Sequence, residues 1–381
     1  MLRVLLSLVI LSLTARLGLS LPSYTPLDGP HVPLATSATS YTNPWQWWYF
    51  DIVSDTDKSS LQVVYFSGYG FGPIVQSPYY VQLSGTYPNG TAWGSYFGLS
   101  TTVGTVTNSP SPLIEGMKGQ WPGVGSWSSS GITGFAKYVA NWNGMFNGYT
   151  AISGSLNLQQ TAPSHYPCNS GTTPNLTPGA ANPDLVGPGL GWANALPSAT
   201  ASATITIAGQ TFTISGTGYH DSNFGNQATQ LIVATWYWGR GVVGGYTFVY
   251  FAYIPIGANL SSNSDASTWD TSGYLSFNGL KIANFCSTDK SSTLMTISTG
   301  GSIWHAGLAG FGAVTTDASV TITYQSGALS WQFNLAAQDV VIDSSNLAYA
   351  RWTASATGKV AGIPLPVTGK GMFELYNNAP Q

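Results

Sequence analysis

Short runs of β-branched and aromatic residues, broken every few positions by Gly, Asn, Ser or Pro, set the rhythm of this chain. "SLQVVYFSGYGFG", "SATITIAGQTFTISGTGYH", "ATQLIVATWYWGRG", "GGYTFVYFAYIPIG" and "SVTITYQSGALSWQFNLAAQ" are strand-like runs of this kind. No window carries a capped apolar stripe with the 3.6-residue period of a helix. Many short strands with frequent turns predict an all-β protein of antiparallel barrels or sandwiches. An internal echo sets the number of domains. Trp48-Tyr49-Phe50 followed by "VVYFSGY" resembles Trp236-Tyr237-Trp238 followed by "FVYFAYI". Two related β domains are therefore expected, 21–229 and 230–381. The stretch 161–200 is rich in Pro, Gly and Asn and reads as a long ordered loop.

The first twenty residues read differently. A short basic start, an apolar run from Val4 to Thr14 and the small residues Gly18 and Ser20 predict a cleaved signal peptide over 1–20. No later run reaches the ~18 apolar residues of a membrane helix, so a protein of the secretory pathway without an integral membrane segment is expected. Asn89, Asn175 and Asn259 head N-glycosylation sequons, the second followed by Pro178. Cys168 and Cys286 are the only cysteines; an oxidising lumen favours one disulfide over two buried thiols.

Charge narrows the chemistry. Only 7 % of residues are charged against 13 % aromatic. Arg3 and Arg16 fall within the leader, so the remaining basic residues are outnumbered by 14 acidic ones, a balance that argues against nucleic acid. No nucleophile elbow, zincin motif, phosphate loop or zinc-spaced cysteine pair occurs, and neither a metal nor an organic cofactor is expected. "NPWQWWYFD" (43–51) sets five aromatic rings around Gln46 and Asp51, as either a pocket wall or a packed core. "GTGYHDSNFGN" (216–226) carries His220, Asp221 and Asn223, as either a site or a side-chain-stabilised turn. Beyond the leader the arginines are Arg240 and Arg351, each near tryptophan; cation–π stacking and placement of a substrate oxygen both suit them. Trp236 and Trp238 share one face of a strand and Tyr237 takes the other. His305 follows Trp304, as a packing residue or a ligand contact.

"QWWYFD", "GYHDSNFG", "WYWGRG" and "YARWTASATGKVAG…GKGMFE", in that order, resemble the superfamily of hydroxyneurosporene synthases, AttH-like proteins and fungal lipocalin-like Diels–Alderases. The resemblance covers nearly all of the chain past its leader and implies two lipocalin-like β domains, with a site for apolar small molecules in or between them. Gln46 stands where members often have Glu, and Ser222 and Phe224 where they often have His and Trp. Those losses favour binding and orientation over acid-catalysed hydration. The leader and sequons resemble the secreted branch of fungal tropolone–sesquiterpenoid pathways, which performs intermolecular hetero-Diels–Alder reactions. On this reading Gln46, Trp47, Tyr49, Asp51, Tyr65, Trp236, Trp238, Trp304 and Trp352 bind substrate. His220, Asn223, Arg240 and His305 donate to it or position it. A terpenoid hydratase or isomerase using His220 or Asp221 is the rival enzyme, and a secreted carrier the rival binding protein.

A Cys168–Cys286 bond would close a loop of well over 100 residues and stabilise by about 4–5 kcal/mol in the chain-entropy model. Intact mass before and after reduction should show a chain starting near Leu21, glycans on Asn89 and Asn259, and the bond. Two free thiols in the native protein would contradict it.

Overall fold

The computed structural model describes residues 44–71, 77–107, 116–131, 135–167, 185–187, 189–256, 270–286, 293–300, 314–344 and 349–377. Its strands form two antiparallel sheets. The first contains β1 (Trp45–Ser54), β2 (Ser60–Ser67), β3 (Tyr79–Thr86), β4 (Ala92–Leu99), β5 (Thr105–Thr107) and β6 (Lys118–Trp121). It continues with β7 (Gly125–Ser130), β8 (Lys137–Phe146), β9 (Thr150–Gln160), β10 (Leu185–Gly187), β11 (Leu190–Ile207) and β12 (Gln210–Gly225). The second contains β13 (Val233–Val243), β14 (Tyr246–Pro255), β15 (Asp270–Phe277), β16 (Leu280–Cys286) and β17 (Thr293–Gly300). It ends with β18 (Ser319–Ser326), β19 (Leu329–Ser344), β20 (Tyr349–Val360), β21 (Ile363–Pro364) and β22 (Gly369–Asn377). One 3-10 turn, Thr229–Leu231, separates the sheets in sequence. Among the described residues no helix is long and apolar enough to cross a membrane.

Each sheet is a meander closed by one long-range pairing. In the first, β4-β3-β2-β1 joins β12-β11-β9-β8-β7-β6-β5 through the β1–β12 ladder. In the second, β16-β15-β14-β13 joins β22-β20-β19-β18-β17 through β13–β22. Turn chemistry fixes the hairpins. Gly244-Gly245 and Asn278-Gly279 all have positive φ, the conformation of two-residue turns whose twist matches the strands.

Three cores result, and β1 shows why. All ten of its residues are buried. Trp48, Phe50 and Ile52 face a core inside the first curled sheet. Trp45, Trp47, Tyr49 and Val53 face a second core with Trp236, Trp238, Val249, Phe251 and Met372 of the other sheet. Tyr237, Phe248, Tyr250 and Phe373 belong to a third core, inside the second sheet. Where the two sheets meet, their outer faces are apolar because they bury each other. Trp236 and Trp238 lie on this seam and Tyr237 points away from it.

The loop expected over 161–200 is corrected at its far end. Leu190–Ile207 is a strand whose first ten residues are all buried, so that half shows none of the alternation that identifies a half-exposed strand and that appears beyond Ala199. Its pairing with β12 shifts register between Ala193 and Leu196 and again between Leu196 and Ala199. Pro197, which has no N–H to give a ladder, sits in the second irregularity. The signal segment 1–20, Cys168 and the Cys286 side chain lie outside the described residues, as do Asn175, Asn259, Trp304 and His305. Asn89 is exposed in the turn between β3 and β4.

Charge also crosses the seam. Arg240 on β13 grips Asp51 on β1 through both carboxylate oxygens, with Nε 3.1 Å from Oδ2 and Nη2 closing on Oδ1. Both side chains are fully buried. Arg240→Met would strand an unpaired carboxylate and should cost about 3–5 kcal/mol in urea unfolding, whereas Asp51→Leu with Arg240→Met should cost far less. An equally destabilised double variant would contradict pairing as the origin of the loss.

Candidate functional site

Strand register assembles a pocket on this seam. On the first sheet Trp47 lies opposite Asn223 and Tyr49 opposite Asp221. On the second, Trp238 has Phe251 on one side and Glu374 on the other, and Glu374 faces Arg351. These eight residues line a cavity of about 250 Å³, its open mouth included. The two-residue period of a strand puts each of them on the seam face.

Hydrogen bonds hold the walls in place. The Trp47 indole N–H donates to Asn223 Oδ1 at 3.0 Å. The Trp236 indole donates to Glu374 Oε1 at 3.1 Å. Glu374 Oε2 accepts from Arg351 Nε at 2.9 Å, from Arg351 Nη2 and from the Tyr349 hydroxyl at 2.5 Å. The Arg351 guanidinium stacks 4.8 Å above the Tyr49 ring, and the Tyr49 hydroxyl donates to Asp51 Oδ2 at 2.8 Å. Trp238 meets Tyr49 and Tyr219 edge-on. Trp47 and Tyr49 are thus held by hydrogen bonds and Trp238 by ring contacts.

Asp221 differs from Asp51 and Glu374, the other two carboxylates at the seam. Its Oδ2 accepts from the Tyr219 hydroxyl at 2.6 Å and the Trp192 indole N–H at 2.8 Å, while Oδ1 has no partner. Among the described residues no guanidinium or ammonium pairs with it. Burial pushes its carboxyl up to about 7; the Tyr219 and Trp192 hydrogen bonds pull the other way, and the charges of Glu374 and Asp51 add to the rise. Among the described residues no group of three or more His, Cys, Asp or Glu is placed to hold a metal ion.

The residues expected from the sequence divide cleanly. Trp47, Tyr49, Asn223 and Trp238 line the pocket; Asp51, Arg240 and Trp236 stand behind it as the partners just described. Four assignments are corrected. His220 falls between Tyr219 and Asp221 and so points into the first sheet's core, stacked 3.9 Å from Phe50 with Nδ1 2.8 Å from the Tyr49 carbonyl oxygen. Gln46 turns to that same side and donates to Ser222 Oγ at 2.7 Å. Tyr65 bonds the Ser126 and Asn141 carbonyls in that core. Trp352 stacks on Phe373 in the second sheet's core and donates to the Thr315 carbonyl. Sequence reading missed Phe251 altogether; it offered Asp221 only as a site-or-turn residue and as the rival hydratase's acid, and it put in the pocket neither Arg351, read as stacking on tryptophan or placing a substrate oxygen, nor Glu374. A signal existed for the last two: a chain with so few arginines and glutamates that sets one of each in neighbouring aromatic strands has the makings of a buried pair.

Known proteins agree with the architecture. Residues 15–294 match the Diels-Alderase-like family model. The quinolone epoxide rearrangement protein asqO of Emericella nidulans is 31% identical over 59% of this chain and 57% of its own length. Protein penF of Penicillium thymicola, with the same description, is 31% identical over 59% of each. The match thus spans less than two thirds of these curated relatives. The crystal structure of CghA with Sch210972 superposes with a TM-score of 0.64 at 15% identity, covering 89% of both chains, which places the two curled sheets in the lipocalin-like fold expected from the sequence.

Asp221 makes stability depend on pH. Its ordinary value is 3.8 and its folded one about 7, so its contribution is fully present below about pH 4 and is lost as pH rises to about 7. Between about pH 4 and 8, the stability difference between wild type and Asp221→Asn should swing by a few kcal/mol in the variant's favour. A difference that ignores pH would contradict a buried, unpaired carboxyl.

Proposed function

Because the chain belongs to the Diels-Alderase-like family, we propose that it is a cofactor-independent pericyclase whose seam pocket orients apolar reactants for ring closure. One observation carries this reading: four aromatic side chains wall a cavity in which the Arg351 charge is already paired with Glu374. Such a site offers apolar area and exclusion of water. Cycloaddition asks for little else. Holding two partners in a reactive geometry can remove about 7–11 kcal/mol from the barrier through entropy already lost on binding. Counted out through its open mouth the space is about 250 Å³, so its enclosed part is far below the usual ~300–1,000 Å³ of ligand sites, and reactants would sit largely at the mouth against these walls.

The finer form of the proposal is an intermolecular hetero-Diels–Alder reaction in fungal secondary metabolism. It joins a tropolone-type quinone methide to a terpene alkene, in a protein that enters the secretory pathway. The four ordered motifs and the leader support it. A second reading, acid-assisted rearrangement of an epoxide, is favoured by the description of the two fungal relatives and by the Asp221 carboxyl. Hydration and mere carriage are the remaining alternatives.

Purified protein given a quinone-methide precursor and a terpene alkene should form product with one handedness, at a rate that exhaustive chelation leaves unchanged. Trp47→Ala and Trp238→Ala should lower rate and stereoselectivity together, because the partners then meet in several poses. Rate lost on chelation and restored by one divalent ion would point to metal-assisted chemistry instead. Oxygen from labelled water in the product would point to hydration. Racemic product at the uncatalysed rate would leave a carrier.

A further inference from the structure

Among the described residues the seam buries the carboxylates of Asp51, Asp221 and Glu374 and the guanidiniums of Arg240 and Arg351. Asp51 takes Arg240 and Glu374 takes Arg351. Asp221 is left over. An ionised carboxylate without a cation, out of water, is costly enough that the group takes up a proton instead. Hydrogen bonding says where that proton goes. Oδ2 already accepts from Tyr219 and Trp192, and Oδ1, on a side chain that lines the pocket, accepts from nothing. A protonated Asp221 therefore carries its O–H on Oδ1, with its carboxyl plane fixed by two donors on rigid rings.

Among the described residues the surroundings offer no competing source of charge. Tyr219, on the same strand, is held neutral because burial and the adjoining Asp221 raise its hydroxyl well above its ordinary value. From β1 come Tyr49, likewise raised by burial, and Asp51; from β13 comes Arg240, already on Asp51. From β20 and β22 come Arg351 and Glu374, on each other. Behind Trp192, His165 stands edge-on at 5.2 Å and is kept neutral by burial, which lowers it to about 4.

We propose that Asp221 works as a neutral carboxylic acid whose Oδ1–H donates a hydrogen bond to an oxygen of the bound molecule. The pocket then selects neutral, flat, apolar substrates that present an accepting oxygen, such as a carbonyl. Such a bond withdraws electrons from a conjugated carbonyl, which is the activation a heterodiene needs. The proposal rests on the seam pocket being the ligand site. It assigns the site's polar selectivity to Asp221 and leaves the aromatic rings to supply shape.

Two measurements test it separately. The first needs no ligand. The infrared difference between wild type and Asp221→Asn should contain the carbonyl band of a protonated carboxyl at pH 5.5, and that band should be gone by pH 8.5. Its absence at pH 5.5 would overturn the proposal, whatever the pocket binds. The second compares 2-acetylnaphthalene with 2-ethylnaphthalene, alike in shape but differing in one accepting oxygen, by quenching of tryptophan fluorescence. At pH 5.5 the affinity ratio in favour of the ketone should fall about 3–10-fold in Asp221→Ala, the worth of one neutral hydrogen bond. Wild type should lose the same factor by pH 8.5. Asp221→Asn keeps a donor without a titrating proton and should hold its ratio across that range. Ratios indifferent to substitution and pH would overturn the donor role. If the infrared band is present but neither naphthalene binds, the pocket reading fails and the donor role falls with it.

Discussion

Asp51 and Arg240 meet where only protein surrounds them, and much of the seam follows from the cost of that burial. Neither charge is tolerable alone out of water. Their pairing fixes β1 of one sheet against β13 of the other, at a point where both outer faces are apolar. Glu374 and Arg351 repeat the arrangement, but within the second sheet, on adjacent strands. Once two guanidiniums are matched to two carboxylates, a third carboxylate can remain at the seam only by neutralising itself. The pocket lies beside that odd group, walled by the rings that make the seam dry. Rigidity, dryness and a neutral acid are thus aspects of one arrangement.

Much of the architecture was legible in the sequence. The strand runs, the Gly-Gly and Asn-Gly turns, and the opposition of Tyr237 to Trp236 and Trp238 all follow from local chemistry. The Leu190–Ala199 segment was not legible, because a strand buried on both faces around a proline looks like a loop by composition. Nor could the sequence say which face of an aromatic strand meets its own core and which meets the other sheet. That choice depends on pairing across more than 170 residues, as between Trp47 and Asn223.

The same limit explains how the site was read. His220 drew notice because imidazole is the usual acid or base near neutral pH. Strand alternation then turned it into a core and brought Asp221, its neighbour, to the pocket. Burial gives that aspartate the titration range that histidine has in water. Arg351 and Glu374 lie far from Asp221 in the chain, so only the β13–β22 and β20–β22 ladders together with the packing of the two sheets reveal that they share a cavity with it. The family motifs pointed to the right strands; register decided which side chains of those strands face a ligand.

A crystal structure of the protein with 2-acetylnaphthalene tests the central claim most directly, because it reports both place and partner. The account predicts the ring system on the seam between Trp47 and Trp238, with its carbonyl oxygen within hydrogen-bonding distance of Asp221 Oδ1. Density for the ligand inside either curled sheet, against His220 in the first or Trp352 in the second, would contradict it.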